Sequence, residues 1–487
     1  MITPLLPEVT AFLSTSPIPN WIAGRPSHSN SIHEVLDPST GTPVATVSWE
    51  DATGIDRATR SAHSAFPSWA AKSPEERAVC LHRWADLMEK NAGTLAQIES
   101  LDVGKAISAA ESFDIPFGIE GLRYFADLSV HARYDIPLAI KNIEARVHRA
   151  PYGACGFIFP WNFPFDLLIW GVAPALAAGN TVVVKPSEVT PLSTLFAARL
   201  ATEAGIPDGV INVVVGDGAG AGAALTSHPL IRRMSFTGSP EVGSLVGAAC
   251  GKRIIPCKLE LGGKGAAVVF DDADVDLAAR QLASAITLNT GQVCCTATRW
   301  IVHSGIYDRF VASAREALTA TKIGPGLSRE TQMGPLVSAT QQKRVLDYYQ
   351  KGLHGGARPL IEGGPVGHEG FFVSPWLLEG GPDNVCFREE IFGPAAFVTK
   401  FENDREAIDL IHHVDYGLAN SVWTRDLVRA NRFAEDMVVG NTWINAHNVF
   451  AYGLPYGGIN KSGMGGGVNS PSTFYDYLRE HTIARPL

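Results

Sequence analysis

Four separated segments carry the residue types on which covalent catalysis, proton transfer and anion binding draw, in settings that ordinary core does not provide. Phe159-Pro160-Trp161-Asn162-Phe163-Pro164 sets an asparagine between two prolines inside an apolar stretch. Leu259-Glu260-Leu261-Gly262-Gly263-Lys264 sets a carboxylate between leucines ahead of a glycine pair. Gly291-Gln292-Val293-Cys294-Cys295-Thr296 places a thiol in a loop after a helical stretch, and Glu389-Glu390-Ile391-Phe392-Gly393-Pro394 joins acid, aromatic and turn residues. A buried amide must find hydrogen bonds, and flanking prolines stiffen the turn that aims it. Taken singly, each residue has a plain reading: a small hydrophobe, a surface acid, a helix cap.

Something must hold these segments together, and the chain changes texture along its length. Residues from about 56 to 132 read mainly as helix. Ser73-Pro74-Glu75-Glu76 is a capping box with Pro at the first helical position, followed by an apolar stripe of Val79, Trp84, Leu87, Met88, Leu95 and Ile98 whose register drifts. From about 150, short runs such as Phe157-Ile158-Phe159, Thr181 to Val184 and Ile211 to Val215 alternate with helical stretches such as Pro191 to Ala204. A second series runs through Ala266 to Phe270, Trp300 to Val302 and Ala395 to Val398. Such alternation predicts parallel strands with crossover helices, the first series being a dinucleotide-binding sheet. The Gly-rich stretch from Tyr456 to Gly467 reads as loop.

The 487 residues suit roughly two to four folded units. Lys plus Arg is 40 and Asp plus Glu is 49, a net charge of −9 with no basic stripe, so nucleic acid is not an expected partner. Seven cysteines (Cys80, Cys155, Cys250, Cys257, Cys294, Cys295, Cys386) form a sparse, odd set that fits a reducing interior rather than a disulfide framework. The N-terminus lacks the pattern of a signal peptide, and the longest apolar run, Leu167 to Gly179, contains Pro174 and falls short of the ~20 residues of a spanning helix. A cytoplasmic location without membrane association is expected.

Some tempting motifs are set aside. Gly216 to Ala221 fits G-x-G-x-x-A, but its registers overlap and no acidic residue stands about twenty positions on; it reads as a tight strand-to-helix turn near the cofactor. Asp272-Ala273-Asp274-Val275-Asp276 starts like a calcium loop, yet Leu277 and Ala283 occupy its required Gly and Glu positions, leaving an acidic cluster at a helix N-terminus. His412-His413 has no partner motif and no Cys pair shows zinc spacing, so no metal is expected.

Taken together and in order, the segments match a family. The chain resembles the aldehyde dehydrogenase superfamily, of the NAD(P)-dependent, hydrolytic type, through PWNFP at 160–164, VVKPSE at 183–188, FTGSPEVG at 236–243, LELGGK at 259–264, GQVC at 291–294, EEIFGP at 389–394 and PYGG followed by SG in the C-terminal loop. The resemblance implies an α/β fold with a Rossmann-like cofactor domain (1–130 and 150–261), a second α/β catalytic domain (262–463) and a small β oligomerisation arm (131–149 and 464–487) making a homodimer or homotetramer. It implies Cys294 as nucleophile, Asn162 with the backbone N–H of Cys294 as oxyanion hole, and Glu260 as the base that activates water on a cysteine thioester. For NAD, preferred over NADP, it implies Trp161, Lys185, Glu188, Gly238, Ser239, Gly243, Glu390 and Phe392. For a small-molecule aldehyde it implies a tunnel of Phe117, Phe163, Asp166, Leu167, Trp170, Leu288, Val293, Cys295, Asn448, Phe450 and Tyr456.

Departures from the family's pattern bear on mechanism and substrate. Where relatives often carry Lys after the tryptophan this chain has Gly171, and where they often carry Arg-Glu it has Gly466-Gly467. Their joint absence implies that Glu260 loses its proton through water or by swinging outward. Asp166 in the tunnel suits a hydroxylated or cationic tail; the plainer reading is a surface or self-satisfied acid at the tunnel mouth. Two other functions compete: a coenzyme-A-acylating semialdehyde dehydrogenase, disfavoured by Glu260, and a catalytically retired structural protein, disfavoured because thiol, acid and amide all remain.

Overall fold

Buried β-branched runs set the sheets. Thr181-Val182-Val183-Val184-Lys185 is buried at every position, the mark of a parallel strand covered on both faces. The computed structural model, which describes residues 2–367 and 369–487, places this strand in an eight-stranded sheet. The order is Arg25–Ser27, Asn20–Ile22, Ile211–Val213, Thr181–Lys185, Ala154–Ile158, Ile231–Thr237, Cys257–Glu260 and Gly463–Met464. The five strands from Ile211–Val213 to Cys257–Glu260 are parallel, and the edges are antiparallel. Chain order therefore reverses between Ala154–Ile158 and Ile231–Thr237, and ligands bind outside the carboxyl ends of strands at such a switch point.

A second sheet of seven strands runs Arg358–Ile361, Trp376–Glu379, Ala395–Phe401, Ala297–His303, Gly265–Val269, Ala419–Trp423 and Asn441–Ile444, with only the first pair antiparallel. Strands Asp135–Ile140, Ile143–Pro151 and Leu478–Pro486 form a separate three-stranded antiparallel sheet. Not all of the stretch from Tyr456 to Gly467 is loop. Ile459–Asn460 pairs with Tyr416–Gly417, and Gly463–Met464 extends the first sheet beside Leu259 and Glu260.

The N-terminal helices pack on the first sheet. Ser73 caps Pro74–Lys90 in the expected box, accepting from the Glu76 N–H while the Glu76 carboxylate accepts from that of Ser73. The drift in the apolar stripe is a helix break: Asn91 separates Pro74–Lys90 from Ala92–Val103, and Val79 faces solvent. Trp69 and Trp84 are fully buried, and their indole N–H groups donate to Leu176 O (3.1 Å) and Ala197 O (2.9 Å). These bonds tie the layer to the helices Pro164–Ala177 and Leu192–Glu203. Truncating either tryptophan to Ala costs ~3–5 kcal/mol on the usual scale for large core residues.

Candidate active site

Three strand ends bring the first two chemical segments to the switch point. The chain leaving Ala154–Ile158 passes through Trp161 and Asn162 into the helix Pro164–Ala177, with Pro164 at its first position. The strand Ile231–Thr237 leads to Gly238 and Ser239, and the Ser239 hydroxyl caps Pro240–Arg253 by accepting from the Val242 N–H. Glu260 ends the strand Cys257–Glu260. The glycine pair that follows admits the other two segments: a Cβ on Gly262 would lie 2.1 Å from Glu390 Oε2, and one on Gly263 would lie 2.2 Å from the Cys294 carbonyl oxygen.

The cysteine loop is strained and tied down. Asn289 and Thr290 have φ of 46° and 57°, a conformation that non-glycine residues keep only when their surroundings impose it. The Asn289 amide donates to Asn162 O (2.9 Å), the Asn162 amide donates to Gln292 O (2.9 Å) and Thr290 Oγ1 donates to Gly334 O (2.9 Å). Asn162 and the loop thereby position each other. Asn162 spends one of its two amide N–H groups on Gln292 and keeps the other uncommitted.

Cys294 and Asn162 line one cavity of about 1160 Å³. The Cys295 thiol, and after it the Tyr456 hydroxyl 3.2 Å from Cys294 Sγ, hold the Cys294 thiol below its ordinary range against the opposing effect of burial. Cys295 is pushed well up by Cys294 and by burial, and its thiol donates to Asn448 Oδ1 at 3.4 Å. Glu260 is buried behind the cavity rather than in its lining, and neither carboxylate oxygen has a partner among the described residues. Burial drives this carboxyl well above the usual range, Lys258 opposes that rise and Cys294 adds to it.

The remaining positions fall into three groups. Trp161, Gly238, Ser239, Glu390 and Phe392 line the same cavity, toward the switch point. Glu390 Oε1 accepts from the Gly263 N–H at 2.8 Å and burial raises its carboxyl to about 7, while Phe392 meets the Trp161 ring edge-on at 5.3 Å. Lys185 and Glu188 lie outside the lining, where Lys185 Nζ bonds Glu188 Oε2 at 3.0 Å; Gly243 packs its helix against Leu261. On the other side, Phe163, Asp166, Leu167, Trp170 and Leu288 line the cavity. So do Val293, Cys295, Asn448, Phe450 and Tyr456.

A sequence model of the aldehyde dehydrogenase family matches residues 25–483. The chain belongs to the aldehyde dehydrogenase family. It is 40% identical over 437 residues to an aldehyde dehydrogenase of Emericella nidulans, covering 89% of this chain and 87% of that one. Its fold matches the aldehyde dehydrogenase of Bacillus cereus solved as an NAD+ complex, with TM-score 0.97 at 35% identity over 100% of both chains. It also matches the indole-3-acetaldehyde dehydrogenase of P. syringae solved with NAD+ and IAA, with TM-score 0.95 at 35% identity over 100% of both chains.

Phe117, expected in the tunnel of this aldehyde dehydrogenase, is not among the residues that line the cavity. Phe113 lines the cavity and Phe117 stands behind it, stacked on Phe113 at 5.0 Å. Phe113 lies within a π-helical turn, Ala110–Asp114, which carries an extra residue ahead of the helix Ile115–His131. His447 carried no sequence signal. Burial lowers its imidazole to about 4, so it is neutral; Nε2 donates to the Cys295 carbonyl (2.9 Å) and Nδ1 accepts from Ser421 Oγ (3.0 Å), bracing the cysteine loop.

The two unusual glycines are packed shut. A Cβ on Gly171 would lie 2.7 Å from Phe159 Cζ, and one on Gly467 would lie 2.3 Å from the Tyr456 carbonyl oxygen. The nearest cation to Glu260 on its own strand is Lys258, which alternation puts on the same face. Lys258 Nζ is buried, pairs with Asp476 at 3.1 Å and bonds the Gly467 carbonyl. No helix among the described residues is long and apolar enough to cross a membrane.

Proposed function

We propose that this chain oxidises an aldehyde to a carboxylic acid through acylation of Cys294, with NAD as cofactor. The observation that carries this is the placement of the Cys294 thiol, biased toward thiolate, in the same cavity as the Asn162 amide and the helix N-terminus at Gly238 and Ser239. The residues fit a dinucleotide. Backbone donors at that helix end suit a pyrophosphate, and Trp161 adds an indole N–H. Glu188 suits ribose hydroxyls and repels a 2′-phosphate, Glu390 suits the second ribose, and Gly243 lets the helix Pro240–Arg253 sit close to Leu261.

The Cys294 thiolate adds to the aldehyde carbon, and the charge on the resulting oxygen is met by the free N–H of Asn162 and the backbone N–H of Cys294. NAD, when bound, supplies the acceptor for the hydride whose loss leaves a thioester on Cys294. Glu260 takes a proton from the water that hydrolyses the thioester; burial pushes its carboxyl up, and only its deprotonated form can act. Residues 1–130 and 150–261 serve as cofactor domain and 262–463 as catalytic domain. The arm, 131–149 with 464–487, exposes Ile140, Ile143 and Ile483 on an open sheet, which supports self-association as a homodimer or homotetramer. The location we propose is the cytoplasm.

NADH absorbance over an aldehyde panel, with and without coenzyme A, tests the whole. Free acid and NADH in equal amounts, independent of coenzyme A, are expected; an acyl-coenzyme A product, or no NADH from any aldehyde, overturns the proposal.

A further inference from the structure

Asp166 occupies the third position of the helix Pro164–Ala177 and is among the residues lining the cavity that holds Cys294. It is 2% exposed, and neither of its carboxylate oxygens has a hydrogen-bond partner among the described residues. Both plain readings of an acid at a tunnel mouth, solvation and satisfaction by its own surroundings, therefore fail. A first-turn acid gains from the helix dipole, but that gain does not replace hydrogen bonds to both oxygens.

The charges around Asp166 do not balance. Lys105 Nζ, itself buried, bonds Asp114 and Glu99 (3.2 Å to Glu99) and sits 4.2 Å from the centre of the Phe163 ring. Asp114 lines the same cavity as Asp166. Three buried carboxylates, Glu99, Asp114 and Asp166, thus surround one ammonium group, and Asp166 is the one it does not bond. Asp102, also buried, spends one oxygen on the Leu192 N–H at 2.7 Å. Burial and the neighbouring Asp114 and Glu99 push the Asp166 carboxyl well up, against Lys105. A second cation placed in the cavity would relieve that strain on the charged form.

Resting on the proposed acylation of Cys294, we propose that Asp166 selects the far end of the substrate and that the preferred aldehydes carry an ammonium group on the tail. Binding of the ammonium group favours the charged form of the unpartnered Asp166 carboxyl, which then supplies the counter-ion. The aromatic faces of Trp170 and Phe450, with ring centres 6.2 Å apart on the same wall, attract a cation as well as an alkyl chain. An alkyl tail leaves Asp166 unpaired, and a carboxylate tail adds one more negative charge to the cluster of Glu99, Asp114 and Asp166. A site built to bind a polar group discriminates strongly against the analogue that lacks it.

The test is a set of substrate pairs with equal heavy-atom counts, each an ω-amino aldehyde and its n-alkyl counterpart, beginning with 3-aminopropanal against butanal and lengthening by one carbon at a time. The readout is the ratio of kcat/KM values within each pair, so that a change in overall activity cancels. At the length that reaches Asp166 the wild-type ratio is expected to favour the amine by about tenfold or more, on the scale of a desolvated charge pair. In Asp166→Asn, and again in Asp166→Leu, the ratio is expected to fall by about the same factor. Three results would overturn the assignment: an alkyl preference at every length in the wild type, a ratio unchanged in Asp166→Asn, or equal preference for the ω-hydroxy aldehyde. Absence of NADH from all of these aldehydes would instead bring down the acylation of Cys294, and with it this inference.

Discussion

The Tyr456 hydroxyl lies 3.2 Å from the Cys294 sulfur, which makes a residue legible as tunnel wall into a partner of the nucleophile. Burial holds the Tyr456 phenol well above its ordinary range, so it stays protonated and donates when the sulfur is charged. Tyr456→Phe keeps the ring and removes that donor. With Cys295 still in place, the inflection in Cys294 alkylation rate by iodoacetamide is expected to move to higher pH, and the NADH burst at neutral pH is expected to slow. An inflection that stays where it is in the wild type refutes the contact as a stabiliser of thiolate.

Asn162→Ala removes the proposed oxyanion donor and also the bond to the Gln292 carbonyl that steadies the cysteine loop. A single such donor is worth ~3 kcal/mol, so kcat is expected to fall by about 10² to 10³. The switch-point residues Gly238 and Ser239 are untouched, so the Kd for NAD, read by fluorescence titration, should hold. A weakened Kd with kcat intact would reverse the assignment.

Glu260 and Lys258 stand on one face of one strand, and the ammonium pulls the carboxyl down against the effect of burial. Only the deprotonated Glu260 can act as base. Glu260→Gln is therefore expected to retain a pre-steady-state NADH burst and lose steady turnover. Lys258→Met raises the Glu260 carboxyl further, so the acid limb of the steady-state kcat profile is expected to move to higher pH while the burst profile, set by Cys294, stays put. Parallel movement of both profiles would assign Lys258 a purely structural part.

The two series of parallel strands, the capping box at Ser73 and the four chemical segments were legible because each depends on local spacing or on a residue type that core does not tolerate. Cys294, Asn162 and Glu260 are of that kind. Phe113 was not named, since the tunnel was read from the resemblance alone and no motif covers the helix that carries this ring. Nor were His447 and the Lys258–Asp476 pair, whose partners are distant in sequence and meet only through the packed C-terminal loop. The orphaned state of Asp166 is likewise a property of its surroundings.

Gly171 leaves no room for the lysine that the resemblance to the family leads one to expect there. Phe159 and Phe157 fill the space a side chain would need. Gly171→Ala is expected to destabilise the fold by ~1–3 kcal/mol, the usual cost of overpacking a tight core, and Gly171→Lys by more. Thermal unfolding of the two variants against wild type measures this, and a Tm unchanged in Gly171→Ala would mean that the aromatic pair yields without cost.

The Lys185–Glu188 pair gives the cofactor preference its test. With Lys185 buried and bonded to Glu188 at 3.0 Å and to Pro186 O at 2.8 Å, the carboxylate is held in place at the end of the Thr181–Lys185 strand. Held there, under the proposed function it would accept from two ribose hydroxyls and repel a 2′-phosphate, whereas a mobile acid would turn away from the phosphate. Glu188→Gln removes the charge and leaves a hydrogen-bonding group of the same size, so kcat/KM with NADP is expected to rise while that with NAD falls. Removing a close like-charge contact is worth about tenfold or more in the ratio of the two. Equal use of NAD and NADP by the wild type, or a ratio indifferent to Glu188→Gln, would move the basis of cofactor choice away from this pair.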